Sequence, residues 1–222
     1  MFETNKRNEH FCLCCHEKMS DKRDIDVFLF NEKIVCDDCK KQIKIHDKTY
    51  LIDGIEWYVL YEYNEYLERL FFQYKEQRDV VLKDLFLNDV KLSFSKYCVC
   101  ALCSSEEKRF FRGFEPIIDI FSGHNVCVYS PFYKKENVKQ SSLSGRDREK
   151  IGEVLALKSL YPLPKKKIMV VDDVCTTGST LRTAIALLHP SFVFVLAAHS
   201  IWIKEHQGCE IVSSKKKLVL VK

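Results

Sequence analysis

No apolar run in the 222-residue chain is long enough to span a bilayer, so a membrane-inserted protein is set aside. The opening residues, Met1-Phe2-Glu3-Thr4-Asn5-Lys6, lack the apolar core of a signal peptide. The expectation is a cytoplasmic protein without membrane insertion, reaching the inner face of a membrane only through partners. Internal repeats and low-complexity tracts are also missing, which leaves no ground for a repeat array. The GxxxxGK[ST] pattern of a P-loop is absent. Neither sign of charge dominates: 35 Lys and Arg stand against 31 Asp and Glu, a net charge of +4. That balance permits nucleic-acid binding without demanding it.

What remains is a soluble, globular composition, 46% hydrophobic and 30% charged, with room for one α/β domain and a small module. Cysteine is the residue in excess, with eleven copies. In a reducing compartment, paired spacing points to a metal rather than to disulfides. Cys12-x2-Cys15 and Cys36-x2-Cys39 form two such pairs, about twenty residues apart. Each offers two thiolates to one tetrahedral ion, and four thiolates leave no open position, so a structural Zn²⁺ is expected rather than a catalytic one. Val27-Phe28-Leu29-Phe30 and Ile34-Val35 around Asn31-Glu32-Lys33 suit a hairpin, giving a zinc-ribbon-like segment whose folding energy comes largely from the metal. Cys14 competes with Cys12 as a ligand, and His10 and His16 are weaker alternatives.

The most specific stretch is Ile168-Met169-Val170-Val171-Asp172-Asp173-Val174-Cys175-Thr176-Thr177-Gly178-Ser179-Thr180. Residues 168–171 suit a buried parallel strand. Leu181, Ala184, Ile185 and Leu188 then fall on one face of a helix that Pro190 stops, and residues 192–198 read as another buried strand. The loop between strand and helix is where α/β folds place ligands. Free N–H groups at a helix start attract a phosphate, Gly178 permits close approach, and the Thr176, Thr177, Ser179 and Thr180 hydroxyls add donors. Asp172 and Asp173 suit a ribose diol, directly or through Mg²⁺ and water. A 5-phosphoribosyl group carries both features. The competing reading is a plain strand end with an Asp/Thr cap whose acids face solvent.

Between these ends, residues 55–61 read as a strand, and Asn64 caps a helix with Leu67, Leu70, Phe71 and Tyr74 on one face and Lys75 at its end. Asp79 starts a further helix carrying Leu82, Leu85 and Phe86. Cys98, Cys100 and Cys103 fall in or just after a strand, where free cysteine packs as a small hydrophobe; a second metal site is the alternative. Arg112-Gly113 just before a helix suits an oxyanion, with Arg109 in support, against a plain solvated basic turn. That helix carries Phe114, Ile117, Ile118 and Phe121 and ends at Gly123; residues 126–129 form the next strand and complete a βαβ unit. Residues 134–150 read as a polar loop before a helix containing Ile151, Val154 and Leu155, and residues 218–221 as a last strand.

Residues 170–180 resemble the 5-phosphoribosyl 1-pyrophosphate (PRPP) motif of type I phosphoribosyltransferases, and the chain as a whole resembles the ComF/GntX-like family. The resemblance implies an α/β fold: a type I phosphoribosyltransferase-like parallel sheet with flanking helices and a small hood over residues 49–222. A four-cysteine zinc ribbon over residues 1–48 precedes it, with structural Zn²⁺ on Cys12, Cys15, Cys36 and Cys39. It implies PRPP, with Mg²⁺, held by Asp172, Asp173, Thr176, Thr177, Gly178, Ser179 and Thr180. Arg112 and Gly113 would serve the pyrophosphate, in a motif where Glu115 replaces the usual Asn. Lys75 matches a lysine at a helix end near the family's site, and Gln140, Leu143 and Arg146 match its hood. The strand before the pyrophosphate loop lacks the family's usual proline, and Thr176 stands where purine transferases carry an Asp, which weighs against purine transfer. The family's role is DNA uptake in natural transformation, beside a competence helicase of the ComFA type. Three readings follow: a PRPP-binding, zinc-containing competence protein; an active phosphoribosyltransferase on an unidentified acceptor; and a single-stranded DNA-binding module with a non-catalytic pocket.

Overall fold

The computed structural model describes residues 10–19, 34–88, 90–92, 94–124, 126–136, 153–159, 161–211 and 219–221. Its centre is a seven-stranded sheet in the order β10-β1-β2-β9-β8-β4-β5. These strands are β1 (Ile45–Ile52), β2 (Ile55–Tyr63), β4 (Tyr97–Ala101), β5 (Val128–Tyr129), β8 (Lys167–Cys175), β9 (Phe192–His199) and β10 (Glu210–Ile211). From β2 through β9, β8 and β4 to β5 all neighbours are parallel; β1 and β10 add an antiparallel margin. The fold is thus α/β with a mostly parallel sheet and helices on its faces.

The sequence dictates this arrangement through the twofold alternation of strand side chains. Val99, Ala101, Met169, Val171, Phe194 and Leu196 point into one core layer. Cys98, Cys100, Val170, Val193 and Val195 point into the other. Residues 192–198 are all buried, as expected of a central parallel strand covered on both faces. The first layer is closed by α2 (Glu65–Lys75), a 3₁₀ helix (Val80–Leu85) and α4 (Pro116–Ser122). The second is closed by α5 (Ser179–Leu188) and α6 (Ser200–Glu205). Asn64 caps α2 as expected, its Oδ1 accepting from the Leu67 N–H at 2.9 Å, and Leu67, Leu70, Phe71 and Tyr74 are buried.

The cysteine pairs sit against the first layer. Cys36 precedes the short helix α1 (Asp37–Gln42), and Cys12, Val35 and Cys39 share a core with Leu60, Leu67 and Phe71. β1 joins this end to the sheet, crossing position 48, and turns into β2 through Asp53 and Gly54, both left-handed at φ 49° and 77°. An Asp-Gly pair suits such a two-residue hairpin turn.

Some expectations change. Val154 and Leu155 do not lie in a helix but in β7 (Glu153–Leu157), which pairs antiparallel with β6 (Phe132–Glu136). Leu155 is buried in the second layer, so pairing and burial together override the helical spacing of Ile151, Val154 and Leu155. Ile34 and Val35 lead through Cys36 into α1, and the other arm of the expected hairpin, residues 27–30, lies outside the described residues. Residues 106–112 form the helix α3 (Glu106–Arg112), started by a Ser105 cap. The proposed hood residues Gln140, Leu143 and Arg146, and the hairpin turn at residues 31–33, lie outside the described residues. The expected last strand is β11 (Val219–Val221), antiparallel to β3 (Val90–Leu92).

Candidate functional site

The two carboxylates belong to the strand itself rather than to the loop after it. β8 continues through Asp172 and Asp173 to Cys175, held by parallel pairing of Asp172 with Val195 and Val174 with Ala197. Alternation sends the two acids to opposite faces. Asp173 Oδ2 meets Lys75 Nζ, at the end of α2, at 2.6 Å, and both groups are largely buried. The Lys75 ammonium also lies 4.7 Å from the centre of the Phe71 ring. Asp172 Oδ1 accepts from the Asp173 N–H at 2.9 Å. Burial, reinforced by the neighbouring Asp173 carboxylate, pushes the Asp172 carboxyl up to about 8.

Thr176, Thr177 and Gly178 then form a tight loop into α5. Gly178 is left-handed at φ 73°, and a Cβ there would lie 3.3 Å from Trp202 Nε1 and 3.5 Å from Cys175 Sγ. Glycine is therefore required twice, by its dihedral and by its neighbours. Arg182 Nη2 donates to the Thr177 carbonyl at 2.6 Å and ties the loop to the first turn of the helix. The Thr176, Thr177, Ser179 and Thr180 side chains are exposed, and the first N–H groups of a ten-residue helix open beside them.

Next to this loop lies a cleft of about 190 Å³. Asp172, Asp173 and Thr180 line it, facing the cations Lys75, Lys108, Arg112 and Lys134. Arg112 is 9% exposed and ion-paired with Glu76, its Nη1 reaches Ser104 Oγ at 3.4 Å, and its buried Nε has no hydrogen-bond partner. Glu115 also lines the cleft, and both of its oxygens accept from the Ser104 N–H at 3.1 Å. The structure thus brings Asp172, Asp173, Thr180, Arg112 and Lys75 together, with residues 176–179 adjoining them. It does not bring in Gly113 or Arg109. Gly113 ends α3 in a left-handed turn at φ 82°, and both residues line a separate surface hollow with Phe110. Lys108, Lys134 and Glu76 were not foreseen. The signal for Lys108 was its place one helical turn before Arg112; for Lys134, its place at the start of the polar segment after β5.

At the other end, the Sγ atoms of Cys12, Cys15, Cys36 and Cys39 all lie within 4.8 Å of one another. Tetrahedral Zn²⁺ with bonds of about 2.3 Å sets its thiolates roughly 3.8 Å apart. Cys15 and Cys36 stand at 3.8 Å, so the residues fit such an ion. Burial opposes the Cys12 thiolate, yet hydrogen bonds from backbone N–H groups, Cys36 first among them, prevail and bring it down to about 6. Cys14 is outside the cluster; burial pushes its thiol up to about 12, against a hydrogen bond with Tyr66 that lowers it. His10 and His16 are also outside it. Cys98 and Cys100 are buried in β4 with sulfurs 3.8 Å apart, and with Cys103 they assemble no further metal-ligand group among the described residues.

Fold and site together define an α/β protein with paired carboxylates and convergent cations at the ends of its parallel strands, joined to a four-cysteine module whose geometry fits a metal ion. No family model matches the chain. It is 24% identical over 192 residues to Competence protein ComFC of Streptococcus pneumoniae (strain ATCC BAA-255 / R6), covering 82% of this chain and 83% of that one. The similarity runs over most of both chains and supports a ComFC-like family.

Proposed function

We propose that this protein binds PRPP together with Mg²⁺ at the Asp172–Asp173 cleft, carries a structural zinc ion, and acts in DNA uptake during natural competence. The competence role rests on the similarity to Competence protein ComFC, and a ComFA-type helicase is the partner that the family resemblance implies. The observation that carries the ligand assignment is the junction of three features: two carboxylates, a hydroxyl-rich loop at a helix start, and a cation-lined cleft. In this reading the 5-phosphate lies on the residue 176–180 loop, and the ribose hydroxyls with Mg²⁺ lie at Asp172 and Asp173. The pyrophosphate meets Arg112, Lys108 and Lys134. Bound Mg²⁺ supplies charge neutralisation on the pyrophosphate. The chain's own groups orient and bind, and the described cleft has no acid at Thr176 to take an acceptor's proton. Thr176 therefore weighs against transfer to a purine acceptor.

Calorimetry with PRPP and Mg²⁺ tests this. Binding to the wild type, lost in Asp172→Ala and Asp173→Ala, is expected. Unchanged affinity in both variants would refute the site. Pyrophosphate release on supply of an acceptor would instead make the protein a transferase.

A second reading, single-stranded DNA binding, is favoured by one observation. Phe110 is 91% exposed beside Arg109, and the Arg78 guanidinium covers Phe111 at 4.4 Å. Exposed aromatic rings among cations are a stacking surface for bases. Affinity for an oligonucleotide that falls steeply with salt and drops in Phe110→Ala is the expected result; a flat salt response argues against it.

A further inference from the structure

Glu115 holds a position at odds with a phosphate site. Its carboxylate lines the cleft among Lys75, Lys108, Arg112 and Lys134, and both oxygens take the Ser104 N–H at 3.1 Å. Ser104 lies in the short connection between β4 and α3, at the end of a parallel strand beside β8. A backbone N–H that already donates to both oxygens of a carboxylate is a working oxyanion donor. Arg112 reaches the same residue through Ser104 Oγ, and its own buried Nε lacks a partner. The cleft wall therefore offers donors of two kinds: one occupied by an internal anion, and one unmatched.

We infer that the Glu115 carboxylate is a built-in stand-in for ligand phosphate, which must be displaced from the Ser104 N–H before a diphosphate seats fully in the cleft. Three consequences follow. The resting loop is held in its receiving conformation, because the carboxylate braces it. Diphosphate affinity is held down, because an entering oxyanion meets a like charge at short range. Ligands that bring Mg²⁺ are favoured over the bare anion, because the ion offsets both Glu115 and the ligand's own charge. Glu115 is thus a specificity-determining residue rather than a catalytic one. This inference rests on the reading of the cleft as a phosphate site.

The test compares the full-length wild type with Glu115→Gln and Glu115→Asn, titrated with inorganic pyrophosphate and with PRPP, each with and without Mg²⁺. Glutamine keeps an acceptor oxygen for the Ser104 N–H and removes the charge. It is expected to bind metal-free pyrophosphate about tenfold tighter than the wild type, with its melting temperature retained and a smaller benefit from Mg²⁺. Asparagine, too short to brace the amide, is expected to bind pyrophosphate more tightly as well. In the wild type, the Ser104 amide resonance should move on pyrophosphate addition. Wild-type binding of PRPP with no gain in Glu115→Gln overturns the role of Glu115 and leaves the ligand assignment standing. Absence of binding to the wild type and to both variants overturns both. A gain in Glu115→Asn alone also overturns the inference, since it would make Glu115 a steric brace only.

Discussion

At the residue scale the site depends on a few atoms whose environment sets their chemistry. Asp172 is the clearest case. Burial and the Asp173 charge raise its carboxyl to about 8, far above the ordinary carboxylate range. The folded chain thus holds a proton that the unfolded chain releases near pH 4. This contribution to stability is complete below the ordinary carboxylate pKa and is lost progressively as pH rises to about 8. Chemical denaturation of wild type and Asp172→Asn between pH 5 and 9 should show the variant gaining on the wild type until about pH 8, then running parallel. Parallel curves throughout would contradict the raised pKa. Gly178 is the second case. An alanine there would be strained in the left-handed region by roughly 1–2 kcal/mol, and its Cβ would press on Trp202. Gly178→Ala should lower the melting temperature by about 2–8 °C and weaken PRPP binding in calorimetry. A variant as stable as the wild type would mean the loop accommodates a side chain.

At the scale of elements, what was legible in the sequence was local. β8, β9 and β2 announce themselves as apolar runs, α2 by its Asn64 cap and α5 by the spacing of Leu181, Ala184, Ile185 and Leu188. β7 was hidden because it exists through pairing: Leu155 sits opposite Lys134 on β6, and neither residue alone specifies a strand. β1 was hidden by its polar residues, although Asp53-Gly54 between Ile52 and Ile55 was a readable turn signal. The site divides the same way. Asp172, Asp173 and Thr180 are close in sequence and were legible together; Lys108 arrives from α3 and Lys134 from β6, which the sequence did not reveal. The cysteine module was legible because four thiols in two pairs have one economical solution, and the structure brings all four together. Its folding should depend on the ion, since Cys12 and Cys39 are also core residues against α2. Metal content near one ion per chain is expected, lost in Cys36→Ser/Cys39→Ser together with a lower melting temperature. A variant that keeps both metal and stability would remove the assignment.

At the scale of the molecule, one core layer connects the two sites. The four-cysteine module packs on α2, whose last residue, Lys75, pairs with Asp173 across the same layer. A change at the cysteines therefore reaches the cleft through one eleven-residue helix. A change at Asp173 removes the partner of Lys75 at the far end of that helix and is expected to leave the four cysteines in place. This asymmetry makes a cell-based prediction specific. In a naturally transformable host lacking this gene, wild type should restore transformation. Asp173→Ala should fail while accumulating to normal levels with its metal in place, because the loss is confined to the cleft. Cys36→Ser/Cys39→Ser should fail with reduced accumulation, because α2 loses its support. Transformation frequency and immunoblot abundance, measured together, separate the two outcomes. Full rescue by Asp173→Ala would detach the carboxylate cleft from the competence role; loss of metal in that variant would show that the coupling runs in both directions.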